Sequence, residues 1–342
     1  MKRSIPEIVS MVGQRLGVNL GSVQETVELE QRRPLTAAIF GQTGCGKSSL
    51  TNAIFGTRFE VDDVRPCTKM PQSYESRDRK GNPITFWDLP GIGESEAADK
   101  KYIDMYLKYA SSCDVVLWAF QADTRATTLD ATAFDALAKR MTPEDRARFL
   151  GKVSVVVTKA DVIAAGPWIF SKSGDATIIA ASKETEETLD RKAVYFYDCL
   201  FGDFKRETEY RVATSAKPRT VRDLPPDFRM DETERFLCHR GEFNDEMLRY
   251  LLGQFPTLED ELRGLAGQSR AVCCSARYRF NLNEVKAGIA MRGKGRSMLR
   301  ISQSMDDIDT VVPWRALRGF GLPVFFDQSK GKTIFNIEDY EG

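Results

Sequence analysis

The stretch "LTAAIFGQTGCGKSSLTNAIFG" (residues 35–56) decides the fold. Its opening, "LTAAIF" (35–40), reads as a buried strand, and Leu50, Ala53 and Ile54 then recur at helical spacing before Gly56. Between strand and helix stands G-x-x-x-x-G-K-S: Gly41, Gly46, Lys47 and Ser48. Such a loop turns its backbone N–H groups inward while the following helix offers its positive end to an anion. The residues Gly41, Gln42, Thr43, Gly44, Cys45, Gly46, Lys47, Ser48 and Ser49 are therefore candidate phosphate contacts. Lys47 can reach the β- and γ-phosphates, and the Ser48 hydroxyl can ligate Mg²⁺. The loop is expected to hold a nucleotide.

Which nucleotide depends on motifs further along. "NPITFWDLPGIGESE" (82–96) reads as a strand ending at Asp88 and a glycine-rich turn. Asp88 would lie near Mg²⁺, and the Gly91 N–H near a γ-phosphate. "CDVVLWAFQAD" (113–123) and "KVSVVVTKAD" (152–161) are apolar runs of the kind found in parallel strands covered on both faces. The second ends in Thr158, Lys159 and Asp161, at the sheet edge where parallel sheets bind ligands. There a carboxylate can accept from the guanine N1–H and its exocyclic amine, a donor pair that adenine lacks. Asp161 is thus the expected base-specificity residue, and the Lys159 stem can lie across the base. Two stretches compete for the loop that caps the guanine carbonyl. "AVCCSARYRFNLNEV" (271–285) offers Ser275 and the Ala276 N–H, followed by Leu282, Val285 and Ile289 at helical spacing. "YRVATSAK" (210–217) offers Ser215 and Ala216, but "PRTVRDLPP" after it is interrupted by prolines and charges and reads as loop. The first is favoured, which makes residues 162–270 an enlarged insertion.

Strands alternating with helices predict an α/β fold with a mostly parallel sheet. Tyr102, Ile103, Tyr106, Leu107 and Ala110 mark one helix, and Leu129, Ala133, Phe134 and Leu137 a second. Thr142 is the expected N-cap of a third, with Pro143 at its first position. Within the insertion, Leu189, Ala193, Phe196, Leu200 and Phe204 mark a long amphipathic helix, and two further helices are expected around Met247–Leu252 and Leu258–Leu265.

The motifs "GQTGCGKS", "DLPG", "TKAD" and "SA", in that order, resemble those of translation-factor-class GTPases, nearest the Era-like branch. "PCTKMPQSYE", "DLPGIGES" and "DVVLWAFQAD" are similar to the prophage-encoded and HSR-type GTPases of bacteria. The resemblance covers 35–161 well and 270–290 fairly. It implies a Ras-like P-loop G domain with a helical insertion and a C-terminal tail, Mg²⁺-dependent GTP hydrolysis to GDP, and two nucleotide-sensitive segments. By position Thr68 becomes the Mg²⁺-binding switch threonine, so the implied metal set is Ser48, Thr68 and Asp88, and the implied catalytic set Lys47, Thr68 and Gly91. Two positions depart from the pattern. Ile92 stands where a water-orienting glutamine would be, so turnover is expected to be slow without a partner. Gly44 replaces an asparagine that holds potassium in several Era-like enzymes, so that mechanism is not carried over.

The 342 residues comprise 42% hydrophobic and 29% charged side chains, ample for a core. Lys plus Arg and Asp plus Glu are equal at 49, so overall charge does not argue for nucleic acid. Seven cysteines without a CxxC pair and a single histidine, His239, disfavour a zinc site and fit free thiols in a reducing cytoplasm. His239 is expected to be a packing or surface residue, and the run Arg292, Lys294, Arg296, Arg300 a solvated surface. Residues 1–34 carry Ile5, Ile8, Val9, Val12 and Leu16 on one helical face, expected to pack on the domain, and 292–342 read as a tail doing the same. A GTP-hydrolysing switch with a macromolecular effector is expected. The alternative is a non-catalytic, GTP-dependent interaction or self-assembly module; a P-loop kinase or ATPase conflicts with "TKAD". RNA or a membrane surface is a conceivable partner that no feature singles out.

Overall fold

The computed structural model describes residues 35–55, 70–77, 83–93, 95–163, 165–173, 176–232, 235–292, 324–327 and 332–334. The expected N-terminal helix and Thr68 lie outside them.

From Leu35–Gly41 (β1) the chain enters the loop and then helix α1, Lys47–Phe55. β2 (Gln72–Arg77) and β3 (Pro83–Asp88) form an antiparallel pair at one edge, and α2 spans Glu96–Ser112. β4 (Val115–Gln121), α3 (Thr128–Lys139), α4 (Pro143–Lys152) and β5 (Val153–Thr158) follow. The Thr142 hydroxyl caps α4 by accepting from the Asp145 amide, with Pro143 at the first position, where a missing N–H leaves nothing unsatisfied.

With β11 (Val272–Cys273) at its far edge, the sheet runs β11-β5-β4-β1-β3-β2 and is parallel except at β2. Strands in its middle are covered on both faces, which is why β4 and β5 read as nearly unbroken apolar runs, whereas β3 alternates. One face buries Phe40, Trp118 and Phe120 against Tyr106 of α2, Phe134 of α3 and Phe196. The other buries Ile39 and Leu117 against Leu50 and Ile54 of α1 and against Leu282, Val285 and Ile289. Phe134 centres the first cluster, with the rings of Trp118, Phe149 and Phe201 all 5.3 Å away.

Between β5 and β11 the chain forms a hairpin, β6 (Trp168–Ser173) and β7 (Ala176–Ala181), and then the long helix α5, Lys183–Phe201. β8 (Glu209–Ala213), the short helix α6 (Pro218–Arg222), β9 (Phe228–Asp231) and β10 (Phe236–Arg240) come next, forming an antiparallel sheet in the order β8-β10-β9. Helices α7 (Asp245–Gln254) and α8 (Glu259–Gln268) lead to β11 (Val272–Cys273) and α9 (Leu282–Arg292). The insertion thus contains strands as well as the expected helices. Residues 216–228, expected as loop, hold α6, because Pro218 sits at a first helical position where proline is tolerated. His239 is buried, between Phe228 at 4.4 Å and Phe243 at 5.0 Å. Arg292 is also buried rather than solvated: it lies over the Tyr210 ring and donates to the Gln268 carbonyl. The other three basic residues of that run fall outside the described residues. Near the C-terminus, β12 (Val324–Asp327) joins β6 in parallel and β13 (Lys332–Ile334) pairs with β12.

Candidate nucleotide-binding site

The phosphate side of the site is built from contiguous pieces. β1 ends at Gly41, whose φ of +136° and whose tight seat against β4 both require glycine: a Cβ there would lie 2.3 Å from the Ala119 carbonyl oxygen. The loop then curls so that the Lys47 ammonium donates to the Gly41 and Gln42 carbonyls at 3.2 and 2.9 Å. Lys47 is buried at the first position of α1, a cation set where phosphate oxygens would meet the helix amides. Beside it the Ser48 hydroxyl donates to Asp88 Oδ2 at 2.5 Å, joining the loop to the end of β3. A hydroxyl and a carboxylate are hard oxygen donors, and so few protein ligands suit Mg²⁺, which keeps waters and takes phosphate oxygens. Among the described residues no group of three or more His, Cys, Asp or Glu could hold a metal. Thr68, the third implied ligand, lies outside the described residues.

The turn after β3 is stitched to the loop. The Thr43 amide donates to the Ile92 carbonyl at 2.9 Å, the Ile92 amide to Gly41 at 3.3 Å, and the Thr43 hydroxyl to Gly91 at 3.1 Å. The approach is so close that a Cβ on Gly91 would fall 2.4 Å from the Thr43 nitrogen. The Ile92 side chain, only 3% exposed, is turned into the core.

Two supporting residues were not singled out from sequence. The buried Tyr106 hydroxyl sits 2.8 Å from the Pro90 carbonyl and 3.2 Å from that of Gly41, and accepts from the Gly41 amide. Burial pushes its phenol well above the ordinary range, so it stays protonated. Asp130 is 1% exposed, and accepts from Gln42 Nε2 at 2.6 Å and from Trp118 Nε1 at 2.8 Å. Burial raises its carboxyl to about 6, against lowering by those two bonds and by Lys47. The signal was present: Asp130 shares the apolar stripe of α3 with Ala133, Phe134 and Leu137, an unusual place for an acid. Cys45 is buried too, and burial pushes its thiol to about 11.

The base side is assembled from distant segments. The Thr158 hydroxyl reaches the Phe120 carbonyl at 2.9 Å and the Cys45 carbonyl of the loop, one hydrogen serving either. Lys159, at a φ of +54°, directs its ammonium 2.9 Å from the Gly44 carbonyl, so its stem spans from the end of β5 to the phosphate loop. Asp161 accepts from the Ser275 hydroxyl at 2.5 Å, and that hydroxyl accepts from the Tyr278 amide at 3.0 Å. The Cys274 backbone bonds both Val157 and Ala160, which seats Ser275 and Ala276 beside the end of β5. Ser215 and Ala216 are elsewhere, just past β8 in the inserted sheet, where Arg235 donates to the Ala216 carbonyl.

Residues 36–159 match the family model described as 50S ribosome-binding GTPase. The uncharacterised protein YkfA of Escherichia coli (strain K12) is 39% identical over 132 residues, covering 38% of this chain and 42% of that one. GTPase Era of Geotalea daltonii is 30% identical over 128 residues, covering 37% and 40%. Each match thus spans less than half of the relative's length. A crystal structure of Era in complex with MgGDPNP and a segment of 16S ribosomal RNA superimposes with a TM-score of 0.40 at 14% identity, covering 80% of this chain and 58% of that one. Residues 36–159 are therefore a P-loop GTPase domain of the 50S ribosome-binding GTPase kind.

Proposed function

We propose that this protein is a guanine-nucleotide switch that binds GTP and GDP with Mg²⁺ and hydrolyses GTP. The observation that carries guanine over adenine is the Asp161 carboxylate, fixed by Ser275 at the end of β5 with Ala276 alongside and the Lys159 stem leading back to the phosphate loop. Asp161 would accept from guanine N1–H and the exocyclic amine, and the Ala276 N–H would donate to the carbonyl. Loop amides from Gln42 to Ser49 would surround the phosphates, with Lys47 exchanging its loop carbonyls for β- and γ-oxygens. Ser48, Asp88 and Thr68 would hold Mg²⁺, whose charge offsets that developing on the β–γ bridge. The Gly91 amide would bind the γ-phosphate, so its loss on hydrolysis would release the turn after β3. In this reading residues 35–291 form the G domain, 162–270 its insertion and 292–342 a tail against it, and the switch reports to a macromolecular effector.

Binding and turnover test the reading together. Fluorescent GDP should bind and be displaced by GTP but not by ATP, and EDTA should abolish phosphate release. Equal competition by ATP would overturn it. A second reading, a non-catalytic GTP-dependent assembly module, is favoured by the buried Ile92, which brings no amide to the γ-phosphate. It predicts GTP-dependent self-association by light scattering without phosphate release.

A further inference from the structure

Ile92 leaves the γ-phosphate side of the loop without the side-chain amide that orients attacking water, and the phosphate loop itself carries one, in Gln42. The two residues are bridged backbone to backbone, so Gln42 stands beside the position that Ile92 vacates by turning into the core. Its amide is held rather than loose. Nε2 has two hydrogens, and both are committed, to the Ala126 carbonyl and to Asp130 Oδ2, each at 2.6 Å. That fixes which end of the amide is which and leaves Oε1 as the acceptor. Asp130 in turn is fixed by Trp118 at Oδ1, and Trp118 is fully buried among Phe40, Tyr106 and Phe134. Only a carboxylate presents two acceptor oxygens to these two donors.

We infer that Gln42 supplies within the same chain the water-orienting amide that Ile92 lacks, and that Asp130 is its positioning residue. The inference rests on the GTPase reading above. In the step, Gln42 Oε1 accepts one hydrogen of the attacking water without taking the proton. Water oxygen bonds to the γ-phosphorus, the bond to the β–γ bridging oxygen breaks, and GDP leaves with that electron pair. The water proton goes to the phosphate released.

Single-turnover hydrolysis and nucleotide affinity, measured in parallel on the full chain, test this. Gln42→Ala should bind GTP and GDP within about threefold of the wild type yet hydrolyse about thirtyfold more slowly or worse, as when one preorganised transition-state contact is lost. Asp130→Asn keeps the shape but sets an N–H₂ against one of two donors, so it should lower turnover and leave affinity alone. The pH profile separates positioning from mere folding. Asp130 is faced by Gln42, Lys47 and Cys45 of the loop, Trp118 of β4 and Tyr106 of α2. Wild-type turnover should fall as acid protonates Asp130 near pH 6 and removes an acceptor, whereas Asp130→Asn should stay low without that inflection. Wild-type hydrolysis by Gln42→Ala at full rate would overturn the inference while leaving the GTPase reading standing. Absence of hydrolysis in the wild type, with GTP bound, would overturn both.

Discussion

The phosphate half and the base half of the site are built in opposite ways. In the first, Lys47 reaches carbonyls five and six residues back, and Ser48 meets Asp88, 40 residues on, at the end of the neighbouring strand β3. In the second, Asp161 and Ser275 meet across 114 residues that include a separate antiparallel sheet. A site can be local in chain at the end where chemistry occurs and remote at the end where identity is read. The proximal half then depends on a few close-packed backbones, and the distal half on whatever the insertion does.

The largest expected effect falls on the local half. Lys47→Ala removes a buried cation from the phosphate cradle and should weaken GDP and GTP by more than about a hundredfold in a fluorescence titration. Affinity within threefold of wild type would break the comparison at its strong end. Next, Asp161→Asn should cost GTP about 2 kcal/mol, roughly thirtyfold, and shift preference toward xanthine nucleotide, whose base presents an acceptor where guanine has an amine. Smaller again, Ser275→Ala removes a charge-assisted bond to Asp161 and should weaken GTP by about tenfold, whereas Ser215→Ala should leave it unchanged. The reverse ranking would move the base-capping loop to 215–216.

The smallest effect distinguishes the halves by acid. Burial lowers the His239 pKa, so the unfolded chain takes up that proton first as pH falls. The stability His239 contributes is present above about pH 6.5 and is lost on acidification. Asp130 acts in the opposite sense: its folded pKa of about 6 exceeds the usual carboxylate value, so its linkage favours the folded state as pH falls from about 6 toward 4. Proteolysis at pH 5.5 should therefore nick the inserted sheet before the phosphate half, and His239→Phe should delay that nicking. Equal susceptibility of both halves would remove the distinction.

How far each half could be read beforehand follows the same division. Gly41, Lys47, Ser48 and Asp88 sit in motifs whose spacing is dictated by phosphate geometry, and the apolar runs of β4 and β5 are forced by burial on both faces. Both are visible along a single chain. Two strands are too short to display a period: β9 of the inserted sheet has four residues, and β11 at the edge of the central sheet has two. α6 was hidden because a proline that ends most helices begins this one. Asp130 was legible as an acid on an apolar stripe, but its partners, Gln42 and Trp118, come from other elements and are revealed only by the fold. Arg292 misleads for a related reason: a charge run looks solvated in sequence, yet this member of it is buried over Tyr210.

The pairing of Asp161 with Ser275 also sets an order of events in time. Closing a longer chain segment costs little more at equilibrium, about 0.6 kcal/mol for each doubling of its length, but contacts so far apart in sequence are slow to form. During synthesis, the residues that would grip phosphate in this reading have emerged by Gly91, while the serine that would complete the guanine pocket is residue 275. A nascent chain would pass through a stage able to hold phosphates without discriminating between bases, and selectivity would be the last property the folding protein acquires.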